Sequence, residues 1–177
     1  MSLKPLRIAV VMDPIEDIKP RKDTTLAMLL AAQRRGWELH YLELPGIWLR
    51  DGVALGRAHP IGVREHDRDW FTRDAAVVTR LGDFDAILMR KDPPFDMEYV
   101  TTTWLLERAE AEGARVFNRP RALRDHSEKL AIAEFAQFAA PTLVSRDAAR
   151  INAFVDAQRD SILKPLDGMG GSQVFRV

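Results

Sequence analysis

The chain has 177 residues, with 26 basic and 26 acidic side chains, 46% apolar and 29% charged residues. That is the make-up of a globular protein long enough to bury a core, and the balanced charge gives no overall pull toward nucleic acid or an anionic membrane, so neither partner is expected. The sequence holds no cysteine, which excludes disulfides and thiolate metal sites within it and fits a cytoplasmic location.

The first segment, "MSLKPLRIAVVMDP", pairs a few basic residues with a short apolar run. The run is too short to span a membrane, is broken at Asp13-Pro14, and is followed by no small-residue cleavage site. Arg7 to Met12 therefore reads as a strand covered on both faces, as in a parallel sheet. Asp23 or Thr24 can cap a helix over "TLAMLLAAQRRG", in which Leu26, Leu29, Leu30 and Gln33 recur at helical spacing and Gly36 supplies the stop. "ELHYLEL" is a second strand, completing a βαβ unit. In the next stretch Asp51-Gly52 sits between alternating residues and predicts a hairpin turn, so a small antiparallel excursion is expected there. "DAILMR" is a third apolar strand, "PFDMEYVTTTWLLERAEAEG" a helix ending at Gly113, and "ARVFN" a fourth strand.

Beyond Asn118-Arg119-Pro120 the pattern changes. Asp125 and Glu128 have capping-box spacing ahead of a predicted helix "HSEKLAIAEFAQF". "TLVS" reads as a strand, "RDAARINAFVDAQ" as a helix, and "SILKP" and "SQVFRV" as strands flanking a glycine-rich loop. The expected architecture is α/β: a Rossmann-like parallel-sheet domain over residues 1–121, then a second domain over 122–177.

The loop "DGMGGS" carries Gly168, Gly170 and Gly171. Glycines let backbone approach a ligand and permit positive φ, and successive N–H groups can then cup an anion. A Walker A loop would place a lysine after the glycines and lead into a helix; here a strand-like segment follows. A dinucleotide fingerprint would place glycines after the first strand, where this chain has "MDPIED". What is left is a strand–loop–strand hairpin with Lys164 in its entering strand, and the glycines alone leave a phosphate cradle and a flexible turn both open. Lys164 is either a solvent-facing strand lysine or a point charge for phosphate. Lys129 falls in the first turn of the predicted helix, where a cation opposes the helix dipole, and is either a surface lysine or a partner for an anion. Arg90, Lys91 and Asp92 follow a strand at the sheet edge that ligands favour, as does Asp13, and they read either as contacts for a substrate or neighbouring domain or as charges holding a rigid loop. His40, His59, His66 and His126 lack metal-ligand spacing, and Trp37, Trp48, Trp70 and Trp104 read as core or interface anchors.

Taken in order, "VVMDPI", "KDTTLAMLLAAQRRGWELHY", "ILMRKDPPFDMEYVTTTWLLE", "NRPRALRDHSEKL", "PTLVS" and "ILKPLDGMGGSQVFRV" resemble the bacterial glutathione synthetases, ATP-grasp ligases, over nearly the whole chain. The resemblance implies a pre-ATP-grasp domain followed by part of an ATP-grasp lid. It implies ATP held by Lys129 and Lys164 with Gly168, Met169, Gly170, Gly171 and Ser172 closing over the phosphates. It further implies Mg²⁺ and the joining of γ-glutamylcysteine to glycine through an acyl phosphate, giving glutathione, ADP and phosphate. Family members continue well past Val177, and their metal ligands and catalytic residues lie there. The expectation is therefore an incomplete and inactive portion with no catalytic or metal residue of its own. Other readings are another ATP-grasp ligase, such as a D-alanine–D-alanine or ribosomal-protein glutamate ligase, against which "MRKDPPFD" argues, and a non-catalytic α/β module for ligand binding or oligomerisation. Exposed aromatics around Trp48 and Trp70 are expected to permit a homo-oligomer.

Overall fold

The computed structural model describes residues 4–168 and 170–177. They divide into two compact units: the chain through Asp92 together with Met97–Arg124, and Pro93–Asp96 together with Asp125–Val177. Each is described by itself.

The first unit is built on β1 (Arg7–Val11), whose backbone is paired in parallel on one side to β2 (Glu38–Leu42) and on the other to β7 (Ala86–Met89). β8 (Arg115–Phe117) extends the sheet in parallel beyond β7. Side chains of β1 alternate between two apolar layers. Ile8 and Val10 pack with Leu26, Leu29 and Tyr41 under α1 (Thr24–Arg34), while Ala9 and Val11 pack with Phe84, Ile87 and Leu106 under α2 (Met97–Ala111). A strand covered on both faces needs apolar residues at every position, which is why "RIAVV" does not alternate. α1 begins where Asp23 Oδ1 accepts the Leu26 N–H at 2.6 Å, and the residues on its buried side are Thr25, Leu26, Leu29 and Ala32.

The antiparallel region is larger than the sequence predicts. β3 (Ile47–Arg50) and the long β4 (Val53–Val63) form the hairpin, and Asp51 and Gly52 have φ of 50° and 79°, positive at both central positions as a type I′ turn requires. β4 then pairs with β5 (Phe71–Arg73), β6 (Val77–Arg80) and β2, so the hairpin is continuous with the parallel strands in one mixed eight-stranded sheet. The far end of β4 is closed by a side chain: Gln33 of α1 accepts the Val63 N–H at 2.7 Å and donates to the Val63 carbonyl at 2.6 Å. Trp70 donates its indole N–H to Ile15 O at 3.0 Å and is half-buried, as is Trp48. The expectation of exposed aromatics at those two positions is corrected, since both are partly buried and the Trp70 ring packs against the core.

In the second unit the predicted helix over 126–138 does not form as drawn. A short α3 (Pro120–Asp125), which straddles the two units, ends at Asp125, so the capping box is absent. A tighter 3₁₀ helix runs over Ala131–Phe138 with a non-helical break at Phe135. None of its residues is buried, and a short helix without a packed face is marginal in water. "TLVS" is irregular rather than a strand; β9 (Ile162–Leu163) and β10 (Phe175–Arg176) pair only with each other and offer it no ladder. α4 (Ala148–Gln158) forms as predicted, capped by Asp147 accepting from the Ala149 and Arg150 N–H groups.

Two outcomes follow for stability. Asp23→Ala removes the α1 cap and is expected to cost about 1 kcal/mol in urea unfolding. His40, on β2, has a buried Nδ1 without a hydrogen-bond partner among the described residues and sits edge-on to Phe84 at 5.1 Å. Burial, and then the charge of Arg7, holds its pKa below the ordinary value of 6.5. The folded protein thus favours neutral imidazole, a contribution present above the unfolded pKa near 6.5 and lost as pH falls through the lower folded value. Between pH 7 and pH 5 the melting temperature of His40→Phe is expected to fall less than that of wild type.

Candidate functional site

The charged residues singled out in the sequence gather at two places, one in each unit. In the first unit they lie past the carboxyl ends of the parallel strands. Asp13 follows β1, and both its carboxylate oxygens are engaged: Oδ1 pairs with Lys91 Nζ at 2.9 Å and Oδ2 accepts the Asp92 N–H at 3.0 Å. Lys91 also donates to the Asp92 carbonyl. These three residues therefore lock the loop after β7 onto the end of β1. Arg90 is extended differently. Its backbone N–H continues the ladder to Val11 O at 2.7 Å, and its side chain reaches the first turn of α1, where Nε donates to Thr25 Oγ1 at 3.0 Å and Nη2 to Thr24 Oγ1 at 2.9 Å. Sequence reasoning found Arg90 but not the threonines. Their signal is two hydroxyls directly after the cap residue of a helix that leaves the same sheet edge.

The same unit has a cleft of about 860 Å³ between α1 and the β4–β5 connection. Arg21 and Asp67 meet across it in a two-pronged ion pair that holds the Asp67 carboxyl below, and the Arg21 guanidinium above, their ordinary pKa values. Its rim mixes Arg21 and Arg68 with Asp23, Glu65 and Asp67, so neither charge sign dominates.

In the second unit the loop after β9 is the feature to which the sequence pointed. Ser161 and Val177 exchange backbone hydrogen bonds at 2.8 and 2.9 Å, and Arg176 grips the Asp160 carboxylate through Nε and Nη2, each at 2.9 Å, which closes the base of the β9–β10 hairpin. Gly170 and Gly171 have φ of 61° and 79°, and a Cβ at either would meet no atom within 4 Å, so backbone here is open to whatever approaches it. Gly168 is different: a Cβ there would come within 2.6 Å of Pro165 Cγ, so its glycine is required by packing. Ser172 lies in the turn and is exposed, and Met169 lies outside the described residues.

Lys129 is placed on a turn rather than on a helix, which corrects the dipole argument made from sequence. Its ammonium nevertheless reaches the loop. Nζ donates to the Gly168 carbonyl at 2.6 Å and to Glu128 Oε1 at 2.7 Å, with the side chain 21% exposed. An ammonium has three donors, so among the described residues one N–H is left over. An apolar cavity of about 600 Å³ lined by Leu130, Ile132, Ala136, Pro141 and Val144 begins at the same lysine. Lys164 comes just after β9 rather than within it, is exposed, and has no hydrogen-bond or ion-pair partner among the described residues.

Among the described residues no cluster of three or more His, Asp or Glu is arranged to hold a metal ion. No helix among them is long and apolar enough to cross a membrane.

The fold is shared with ATP-grasp ligases of known structure. The ATP-grasp ligase PsnB complexed with precursor peptide PsnA2 and AMPPNP matches the fold with a TM-score of 0.53 at 18% identity, over 100% of this chain and 59% of that one. PsnB with its minimal precursor, Mg and ADP gives 0.52, over 96% and 57%. Residues 6–124 match the prokaryotic glutathione synthetase N-terminal domain and residues 128–177 the ATP-grasp domain of the same enzymes. The chain belongs to the prokaryotic glutathione synthetase family. Relatives named glutathione synthetase include those of Ralstonia nicotianae, 51% identical, Shewanella oneidensis, 48%, and Pseudomonas syringae pv. tomato, 52%, each over 97% of this chain. The chain spans about half the length of these relatives, 53%, 55% and 54% respectively.

The link between Lys129 and Gly168 can be checked directly. In Lys129→Met, amide exchange at Gly170 to Gln173 is expected to accelerate, while exchange in β1 and β7 stays at the wild-type rate.

Proposed function

We propose that this chain contributes nucleotide- and substrate-binding groups to the glutathione synthetase reaction, the ATP-driven joining of γ-glutamylcysteine to glycine in the cytoplasm. Lys129, Lys164 and the Gly168–Ser172 loop, Met169 included, hold the nucleotide phosphates; Asp13, Arg90, Lys91 and Asp92 form the substrate side of the sheet edge. The observation that carries the reading is the 2.6 Å hydrogen bond from Lys129 to the Gly168 carbonyl. It joins a cation to a glycine turn whose backbone is otherwise uncovered, and a phosphate needs both a point charge and N–H donors.

The residues present fit a phosphate in kind. Among the described residues Lys129 has an N–H to spare and the Lys164 ammonium has no partner, so both can neutralise anionic oxygens, and the positive φ values of Gly170 and Gly171 let backbone N–H groups come close without a side chain in the way. ATP supplies the phosphoryl group that converts an unreactive carboxylate into an acyl phosphate open to attack by an amine. Protein groups serve such a transfer by neutralising charge and excluding water rather than by covalent chemistry. The residues described here do not fit Mg²⁺, since no carboxylate cluster stands near the loop, and no step is routed through it. The half-buried Trp48 and Trp70 offer no support for a homo-oligomer.

The reading is tested by calorimetric titration of the chain with ATP. Lys129→Ala and Lys164→Ala are each expected to weaken binding about ten-fold or more, the scale of a lost charge-assisted hydrogen bond. Unchanged affinity in both variants removes the loop and its lysines from the nucleotide site.

A further inference from the structure

We propose that the hydroxyls of Thr24 and Thr25 are positioning groups that shape Arg90 into a receptor for a carboxylate of the dipeptide substrate. The proposal rests on the functional reading above and adds the residues that hold the receptor and the group it takes.

Several arginines of the first unit are met by carboxylates, among them Arg21 by Asp67, Arg73 by Glu16 and Arg124 by Glu107. Arg90 has no carboxylate partner among the described residues and is held by two neutral hydroxyls instead. A hydroxyl fixes direction without cancelling charge. The pairing is also specific in geometry. Nε and one N–H of Nη2, the side edge of the guanidinium, face Thr25 and Thr24 at 3.0 and 2.9 Å. The end edge, made by Nη1 and the second Nη2 hydrogen, has no partner among the described residues. Two parallel N–H groups on that edge match the two oxygens of a carboxylate.

The surroundings leave the charge standing. Both oxygens of Asp13, the acid at the end of β1, are engaged by Lys91 and the Asp92 N–H. The positive end of the α1 dipole adds to the guanidinium charge rather than offsetting it. Thr25 is 4% exposed, so its hydroxyl cannot swing away to water, and the Arg90 backbone is fixed through Val11. An exposed arginine held this firmly, with one fork free, is arranged for an anion that comes and goes. Its place past the carboxyl ends of β1 and β7 is where an open parallel sheet receives its ligand.

The test is calorimetric titration of the intact chain with reduced γ-glutamylcysteine and, separately, with ATP. Thr24→Val and Thr25→Val keep the side-chain shape and remove the acceptor; each is expected to weaken the dipeptide about ten-fold, with Thr25→Ser within about two-fold of wild type. Arg90→Lys, which keeps the charge and loses the fork, is expected to match the valine variants. ATP affinity is expected to be unchanged in all four. Thr24 lies on the surface, so its variant reports even where a buried substitution harms folding. Dipeptide binding unaffected in Thr24→Val and Arg90→Lys overturns the proposal, as does a wild-type chain that does not take up the dipeptide. An equal loss for ATP also overturns it, because the fork would then serve phosphate. Failure of the ATP reading alone, with dipeptide affinity still following the hydroxyls, leaves this proposal standing.

Discussion

β1 is the constraint on which the first unit depends. Ala9, Val10 and Val11 are fully buried, and their backbone groups are shared between β2 and β7. A strand walled in on four sides has one exit for polar groups, the loop at its carboxyl end. Asp13 emerges there, and the neighbouring strand delivers Arg90, Lys91 and Asp92 to the same edge. The ion pair of Asp13 with Lys91 and the tether of Arg90 to α1 are thus consequences of how the sheet is packed. The chemistry of the edge comes from charges that had nowhere else to go.

The second unit obeys a different rule. Ser161 is its only buried residue among those described, while Leu130, Phe135, Phe138 and Phe175 stand substantially exposed. Order in this unit comes from polar contacts instead: the Arg176–Asp160 fork, the Ser161–Val177 backbone pair and the lysine on the glycine turn. Such contacts are local, so they shape a hairpin without building a core.

Much of the first unit was legible in the sequence, because its elements declare themselves within a few residues. The unbroken run "RIAVV", the Asp23 cap and the Asp51-Gly52 turn each form where local chemistry puts them. The extent of the antiparallel region was not legible, since pairing of β4 with β2, β5 and β6 is decided by contacts far apart in sequence. The helix predicted over 126–138 fails for the converse reason: its apolar spacing is correct, but an amphipathic stripe makes a helix only when something packs on it. At the candidate site the glycines and both lysines could be picked out by residue type. The reach of Lys129 to Gly168, 39 residues away, could not, nor could the threonines that hold Arg90.

The Gln33 clasp has a consequence for how the sheet meets other chains. One side-chain amide presents to Val63 the same donor and acceptor that a neighbouring strand would, while β5 occupies the opposite flank. A strand end sealed on both flanks has no ladder left to offer a stray polypeptide. That corner of the sheet is therefore guarded against templated stacking by one helix residue, at no cost in added chain length.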